Sequence, residues 1–117
     1  MIVNGEFLKK NQPAIANFVK VTQRAFATCV NDPKPSVQAL IDASGALKFD
    51  NELVNWSLVE VLMSDKTSRE VALGIHDDAR MKADYELVRD YVGIDKPFEV
   101  KTTYTNEFLD RSIKMTK

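Results

Sequence analysis

Cysteine is almost absent from this chain. Cys29 stands alone, so no intramolecular disulfide can form and no thiolate-rich metal site can be assembled. The redox compartment stays open, because an exported protein need not carry disulfides. With Ala25, Phe26 and Val30 as neighbours, Cys29 reads as a small buried hydrophobe rather than a reactive thiol. Histidine is equally scarce. A nucleophilic triad would have to be built on His76, which precedes Asp77 and Asp78 at a predicted helix boundary, where a turn or cap role is the plainer reading. His76, Asp77 and Asp78 are adjacent and point in different directions, and no fourth ligand is suggested nearby, so no metal site is expected. With only 4 glycines there is no Gly-rich phosphate loop and no dinucleotide fingerprint. No cofactor is expected, and no catalytic residue is assigned.

Long apolar runs are missing too. No stretch approaches the roughly 18 to 20 apolar residues needed to cross a bilayer, so a soluble chain is expected. Met1-Ile2-Val3 gives way at once to Asn4-Gly5-Glu6, without the pattern of a signal peptide; an export signal, if the parent protein has one, is expected upstream. An excess of one charge is lacking as well. The 16 basic and 17 acidic side chains leave −1, and Lys9-Lys10 is the only adjacent basic pair, so nucleic acid is a disfavoured partner.

What is present is the balance of an ordinary globular domain: 117 residues, 44% hydrophobic and 28% charged. One core is the ceiling at this length. Ile2 and Val3 are β-branched and stop at Asn4-Gly5, which predicts a short strand stub running into a turn. From Asn11, with Pro13 in the first turn, Ile15, Phe18, Val19, Thr22, Phe26 and Cys29 recur with helical spacing and predict one long amphipathic helix. It ends before Asn31-Asp32-Pro33-Lys34-Pro35. A shorter helix starts at Pro35 or Ser36, carries Val37, Leu40 and Ile41 inward, and closes at Gly45.

Asp50 or Asn51 is placed to cap the next helix. Its apolar residues Leu53, Val54, Trp56, Leu58, Val59, Val61, Leu62 and Met63 leave almost no polar face, so burial on several sides is expected. Trp56 and the tyrosines Tyr85, Tyr91 and Tyr104 either pack between helices or line a pocket. Thr67 and Glu70 have capping-box spacing for a helical turn through Val71 to Ile75. From Asp78 to Val92 a further helix is predicted, stopped by Gly93-Ile94 in the left-handed conformation and by Pro97. The tail from Phe98 is weakly patterned; Tyr104 to Leu109 fits a turn or short helix, and the last residues are expected to fray.

Several segments carry a family resemblance. They are Val3-Asn4-Gly5-Glu6-Phe7-Leu8-Lys9-Lys10-Asn11 with its following long helix through Phe18-Val19-Lys20, Asn31-Asp32-Pro33 with a short helix carrying Val37 and Leu40, Gly74-Ile75-His76-Asp77-Asp78-Ala79-Arg80 with a helix to Gly93-Ile94, and Tyr104-Thr105-Asn106-Glu107-Phe108-Leu109. Together they resemble the late part of periplasmic solute-binding proteins of ABC importers, in the branch of nitrate, sulfonate, taurine and thiamine-pyrimidine-precursor binders. The resemblance covers nearly the whole chain but only the end of a family member. It implies that residues 1–117 form a single helical segment, the C-terminal part of a two-lobed α/β fold whose first lobe is absent. It also implies a periplasmic setting, a small polar solute such as a sulfonate, nitrate or pyrimidine, and a membrane permease as partner of the parent protein.

A strand end followed by a helix start presents free backbone amides to a ligand. Asn4 and Glu6 are therefore the candidate solute contacts, the alternative being that they cap and charge the first helical turn. The rival to a receptor is a stand-alone helical interaction domain that homodimerises through the Trp56 helix. Self-association of the isolated chain is expected on either reading, because so apolar a helix wants more neighbours than the sequence supplies.

Overall fold

The computed structural model describes residues 1–116. In chain order the helices are α1 (Gly5–Lys10), α2 (Gln12–Asn31), α3 (Pro33–Ala43), α4 (Phe49–Met63), α5 (Lys66–Glu70) and α6 (Asp78–Tyr91), followed by a 3-10 turn at Val100–Thr102. The protein is mainly α. No strand occurs among the described residues, which corrects the expected stub at Ile2 and Val3. A strand needs a neighbour for its amides and carbonyls, and no described segment offers one. Ile2 is fully exposed, and the chain enters α1 directly after Asn4.

Proline and glycine punctuate the chain largely as the sequence suggests. Pro13 lies in the first turn of α2, where its missing N–H is no loss. The same reasoning moves the start of α3 forward to Pro33: both Pro33 and Pro35 fit a first turn, so neither has to precede the helix. Gly93 has φ +91° and closes α6, and Gly74 has φ +83° in the turn after α5. Other boundaries differ. Lys48, not Asp50 or Asn51, occupies the N-cap position of α4, without a side-chain cap.

The capping box lies two residues earlier than the Thr67–Glu70 spacing implies. Asp65 accepts from the Ser68 amide at 2.6 Å, and Ser68 Oγ accepts from the Asp65 amide at 2.9 Å. α5 is consequently over at Glu70, and residues 71–75 form turns instead of a helix.

The core is small. Val30 (1% exposed), Leu73 and Met115 form its centre, with Ala27, Trp56, Met63 and Ile113 packed around it. The C-terminal tail is therefore structural, contrary to the expected fraying. Leu73 N–H donates to the Ile113 carbonyl at 2.9 Å, Met115 N–H donates to the Ser68 carbonyl at 2.9 Å, and Thr116 Oγ1 donates to Asn31 Oδ1 at 2.7 Å. Lys117 lies outside the described residues. The tail is pinned because it supplies an apolar side chain, Met115, and backbone partners to a turn that has no sheet of its own.

α2 packs on α1 and α3, and α3 packs on α4. α4 departs from the expected burial on several sides. Phe49, Leu53, Trp56, Glu60 and Met63 form its half-buried inner face, whereas Val54, Leu58, Val61 and Leu62 are 61%, 62%, 72% and 81% exposed. The surface as a whole shows the same deficit of cover. The chain exposes 8673 Å², where a compact monomer of 13.2 kDa exposes about 6400 Å². Its radius of gyration is 16.5 Å against about 13.4 Å for a compact domain of this length. No helix among the described residues is long and apolar enough to cross a membrane.

Candidate functional site

A cavity of about 820 Å³ opens between α1, α2, the 74–76 turn and the 102–109 segment. Its apolar wall includes Ile15, Val19 and Phe26 from α2, Leu73 and Ile75 from the turn, and Phe108 and Leu109 from the tail. Thr22, Asp65, His76, Thr102, Thr103, Tyr104 and Thr105 supply polar groups. A few polar points on a largely apolar concave wall are the usual makeup of a small-molecule pocket. Among the titratable side chains in the lining, Asp65 is the carboxylate and His76 the imidazole, and no Lys or Arg takes part.

Gln23 holds the back of this space together. It lies on the inner face of α2, four residues beyond Val19, and is 5% exposed. Its Nε2 donates to the Leu73 carbonyl at 2.9 Å and to the Asp110 carbonyl at 3.0 Å, while its Oε1 accepts from the Asp110 amide at 3.0 Å. One side chain thus fixes two loops against one helix, and both amide hydrogens are used. The periodicity of the apolar stripe points to this residue, since a lone amide on a buried stripe must find partners.

The His76 turn is held by a second amide. Asn106 Oδ1 accepts from the His76 amide at 3.0 Å and Asn106 Nδ2 donates to the His76 carbonyl at 2.8 Å, so the side chain substitutes for a paired strand. The imidazole of His76 lies beside the Tyr104 ring, with centroids 5.3 Å apart. Next to it Asp78 accepts from Lys101 Nζ and from Tyr104 Oη, each at 2.6 Å. The Lys101 bond, with help from Tyr104, holds the Asp78 carboxyl below the usual range. In return, Asp78 pushes the Tyr104 phenol up to about 12. At neutral pH Tyr104 is a neutral donor already committed to Asp78, not a base.

Asp65, also in the lining, is held below the ordinary carboxylate range, chiefly by the Ser68 amide and further by Arg80. Its Oδ2 pairs with Arg80 at 3.3 Å. Among the described residues no three His, Cys, Asp or Glu side chains come together as a metal cluster. The thiol of Cys29 is buried beneath α3, and burial raises its pKa.

Asn4 and Glu6 are not among the residues that line the cavity, although Val3 and Gly5 are. Asn4 Oδ1 accepts from the Glu6 amide at 2.9 Å and from the Phe7 amide at 3.2 Å. Glu6 pairs with Lys9 at 3.2 Å. Asn4→Ala is expected to cost about 1 kcal/mol through the lost cap. The check is faster hydrogen exchange at the Glu6 and Phe7 amides together with a lower melting temperature; unchanged exchange would remove the capping assignment.

Trp56 does not line this cavity. It packs against the Val30 cluster with its ring centroid 5.9 Å from that of Phe26, and its Nε1 is buried without a partner among the described residues. Gln23, Asp65, Ser68, Asn106 and Asp110 are the site residues that the sequence reading misses. Of these, only Gln23 and the Asp65–Ser68 spacing carry a local signal, because Asn106 and Asp110 act on residues far away in sequence. No family model, curated protein or solved structure matches this chain.

Proposed function

We propose that the chain is the C-terminal part of a solute-binding receptor of an import system, and that the cavity beside α2 is its contribution to the solute site. One observation carries this reading. Three of the segments that resemble the receptor branch lie far apart in sequence, yet Val3, Gly5 and Leu8 of one, Gly74, Ile75 and His76 of another, and Tyr104, Thr105, Phe108 and Leu109 of the last all line the same cavity, while the segment at residues 31–40 does not. A role as a binding module rather than an enzyme suits a lining whose phenol is committed to a carboxylate and whose one acid, Asp65, is committed to a helix cap and to Arg80. The excess of uncovered apolar surface suits a segment that belongs against further chain, with the permease as the parent's partner and the periplasm as its setting.

Charge selects among the expected solutes. A nitrate or sulfonate would find no Lys or Arg in this wall, and an unpaired anion in an apolar cavity is costly. A neutral ring with exchangeable N–H groups fits better. Its face can lie on the apolar side chains while its edge meets the threonine hydroxyls. A pyrimidine is therefore the favoured solute class.

Calorimetric titration with 4-aminopyrimidine, taurine and nitrate tests this directly. Saturable binding of the aminopyrimidine alone is expected, and Val19→Trp, which fills the cavity from α2, should abolish it while leaving the helical circular dichroism unchanged. Equal heats for all three probes, or binding that survives Val19→Trp in a folded protein, would remove the cavity from consideration.

A further inference from the structure

The hydroxyl hydrogens of the cavity wall are already in use. Thr22 Oγ1 donates to the Phe18 carbonyl at 2.8 Å, and Thr102 Oγ1 and Thr103 Oγ1 donate to the Glu99 and Val100 carbonyls, each at 2.7 Å. Tyr104 Oη donates to Asp78 at 2.6 Å and Thr105 Oγ1 to Glu107 at 3.2 Å. A hydroxyl that gives its single hydrogen to the chain keeps only lone pairs for a ligand, so these groups face the cavity as acceptors. Gln23 has spent both amide hydrogens on its clasp, Ser68 Oγ donates to the Asp65 carbonyl at 3.0 Å, and no Lys or Arg lines the wall. Among the described residues of the lining, the imidazole of His76 is therefore the one side chain whose N–H is not engaged within the chain. The backbone beneath it is fixed, since Asn106 holds both the amide and the carbonyl of His76, and the Tyr104 ring lies 5.3 Å away.

We propose that His76 is the specificity-determining residue of this cavity, its ring N–H donating to a ring nitrogen of a heteroaromatic solute while the exocyclic amino group of that solute donates to the threonine oxygens. The inference rests on the solute reading above and deepens it, because it names the edge of the ring that the site reads. A wall of acceptors rewards the N–H groups of a ligand and offers nothing to its lone pairs, so the single side-chain donor decides where an acceptor nitrogen must lie. A ring of the same size that lacks this nitrogen leaves the imidazole N–H without a partner once water is displaced, and a site built around a hydrogen bond discriminates against such an analogue.

Calorimetry with 4-aminopyrimidine and with aniline, which keeps the amino group and the ring face but has no ring nitrogen, tests the assignment. The unsubstituted chain is expected to bind 4-aminopyrimidine about tenfold more tightly than aniline. His76→Phe keeps a ring against Tyr104 and leaves the Asn106 clasp intact, since that clasp uses backbone atoms only; it should lose the preference and bind the two probes alike. His76→Gln retains a donor and should restore most of it. His76 is also the one histidine in the sequence, so its imidazole 15N resonances in the unsubstituted chain identify themselves, and they should shift saturably on titration with 4-aminopyrimidine. A preference that survives His76→Phe, an equal loss of both probes in that variant, or imidazole resonances unmoved in a chain that binds 4-aminopyrimidine would each overturn the role of His76 and leave the solute reading standing. No binding of 4-aminopyrimidine to the unsubstituted chain would remove the solute reading, and this inference with it.

Discussion

Replacing Gln23 by alanine is expected to lower stability by about 3 kcal/mol, because it removes three hydrogen bonds at once and leaves their backbone partners unmet. The Leu73 carbonyl belongs to a residue that is 3% exposed, so water cannot readily replace the lost donor. Both loops that Gln23 joins, the turn around Leu73 and the tail around Asp110, should loosen together. Hydrogen exchange at Leu73 and Asp110 is the measurement that reports it.

Gln23→Glu sharpens the test, since the shape is kept while both donors become acceptors when the carboxyl ionises. Facing two carbonyl oxygens in a buried position, the carboxyl would hold its proton, and its folded-state pKa would be raised above the unfolded value of about 4.3. The folded state then binds the proton more tightly than the unfolded one. The variant should therefore come nearest to wild-type stability below that unfolded value and lose ground as pH rises through the raised folded-state pKa. A Gln23→Glu deficit that is the same at pH 4 and about pH 7 would show that this side chain is not the clasp described.

Trp56→Ala should cost about 3 kcal/mol, the lower part of the range for truncating a large aromatic, because Trp56 is half-buried rather than sealed. It would open space between α4 and the Val30 cluster and remove the ring against which Phe26 packs. Trp56→Phe is the informative companion. The indole Nε1 is buried with no acceptor among the described residues, and such an orphan donor carries a penalty of about 1 to 3 kcal/mol. Phenylalanine loses some apolar contact but relieves that penalty, so the variant should unfold within about 1 kcal/mol of wild type. Chemical denaturation of the two variants separates the effects. A Trp56→Phe as damaging as Trp56→Ala would mean that the indole nitrogen has a partner after all.

The sequence by itself determined the local order of this protein. Periodicity drew α2 from Ile15 to Cys29, prolines marked the break that falls at Asp32, and Gly93 required a left-handed stop that the backbone then adopted. These are decisions taken within a few residues, by side-chain spacing and by backbone sterics, and they need no distant partner. The stub at Ile2 and Val3 failed for the complementary reason. β-branched residues favour extended backbone, but a strand exists only where another segment accepts its hydrogen bonds, and that condition is not written in two residues.

Tertiary structure alone decided the rest. Met115 became core because the turn at Leu73 lacked backbone partners that the tail could supply. The all-round apolar pattern of α4 could not say which side faces inward; α3 and the Val30 cluster chose the Trp56 side and left Val54, Leu58, Val61 and Leu62 outside. The site follows the same division. His76 and Tyr104 could be singled out from the sequence, but their approach to 5.3 Å, and the Asn106 clasp that fixes it, depend on contacts spanning some thirty residues. Such contacts form only when burial elsewhere has offset the entropy of closing the loop between them.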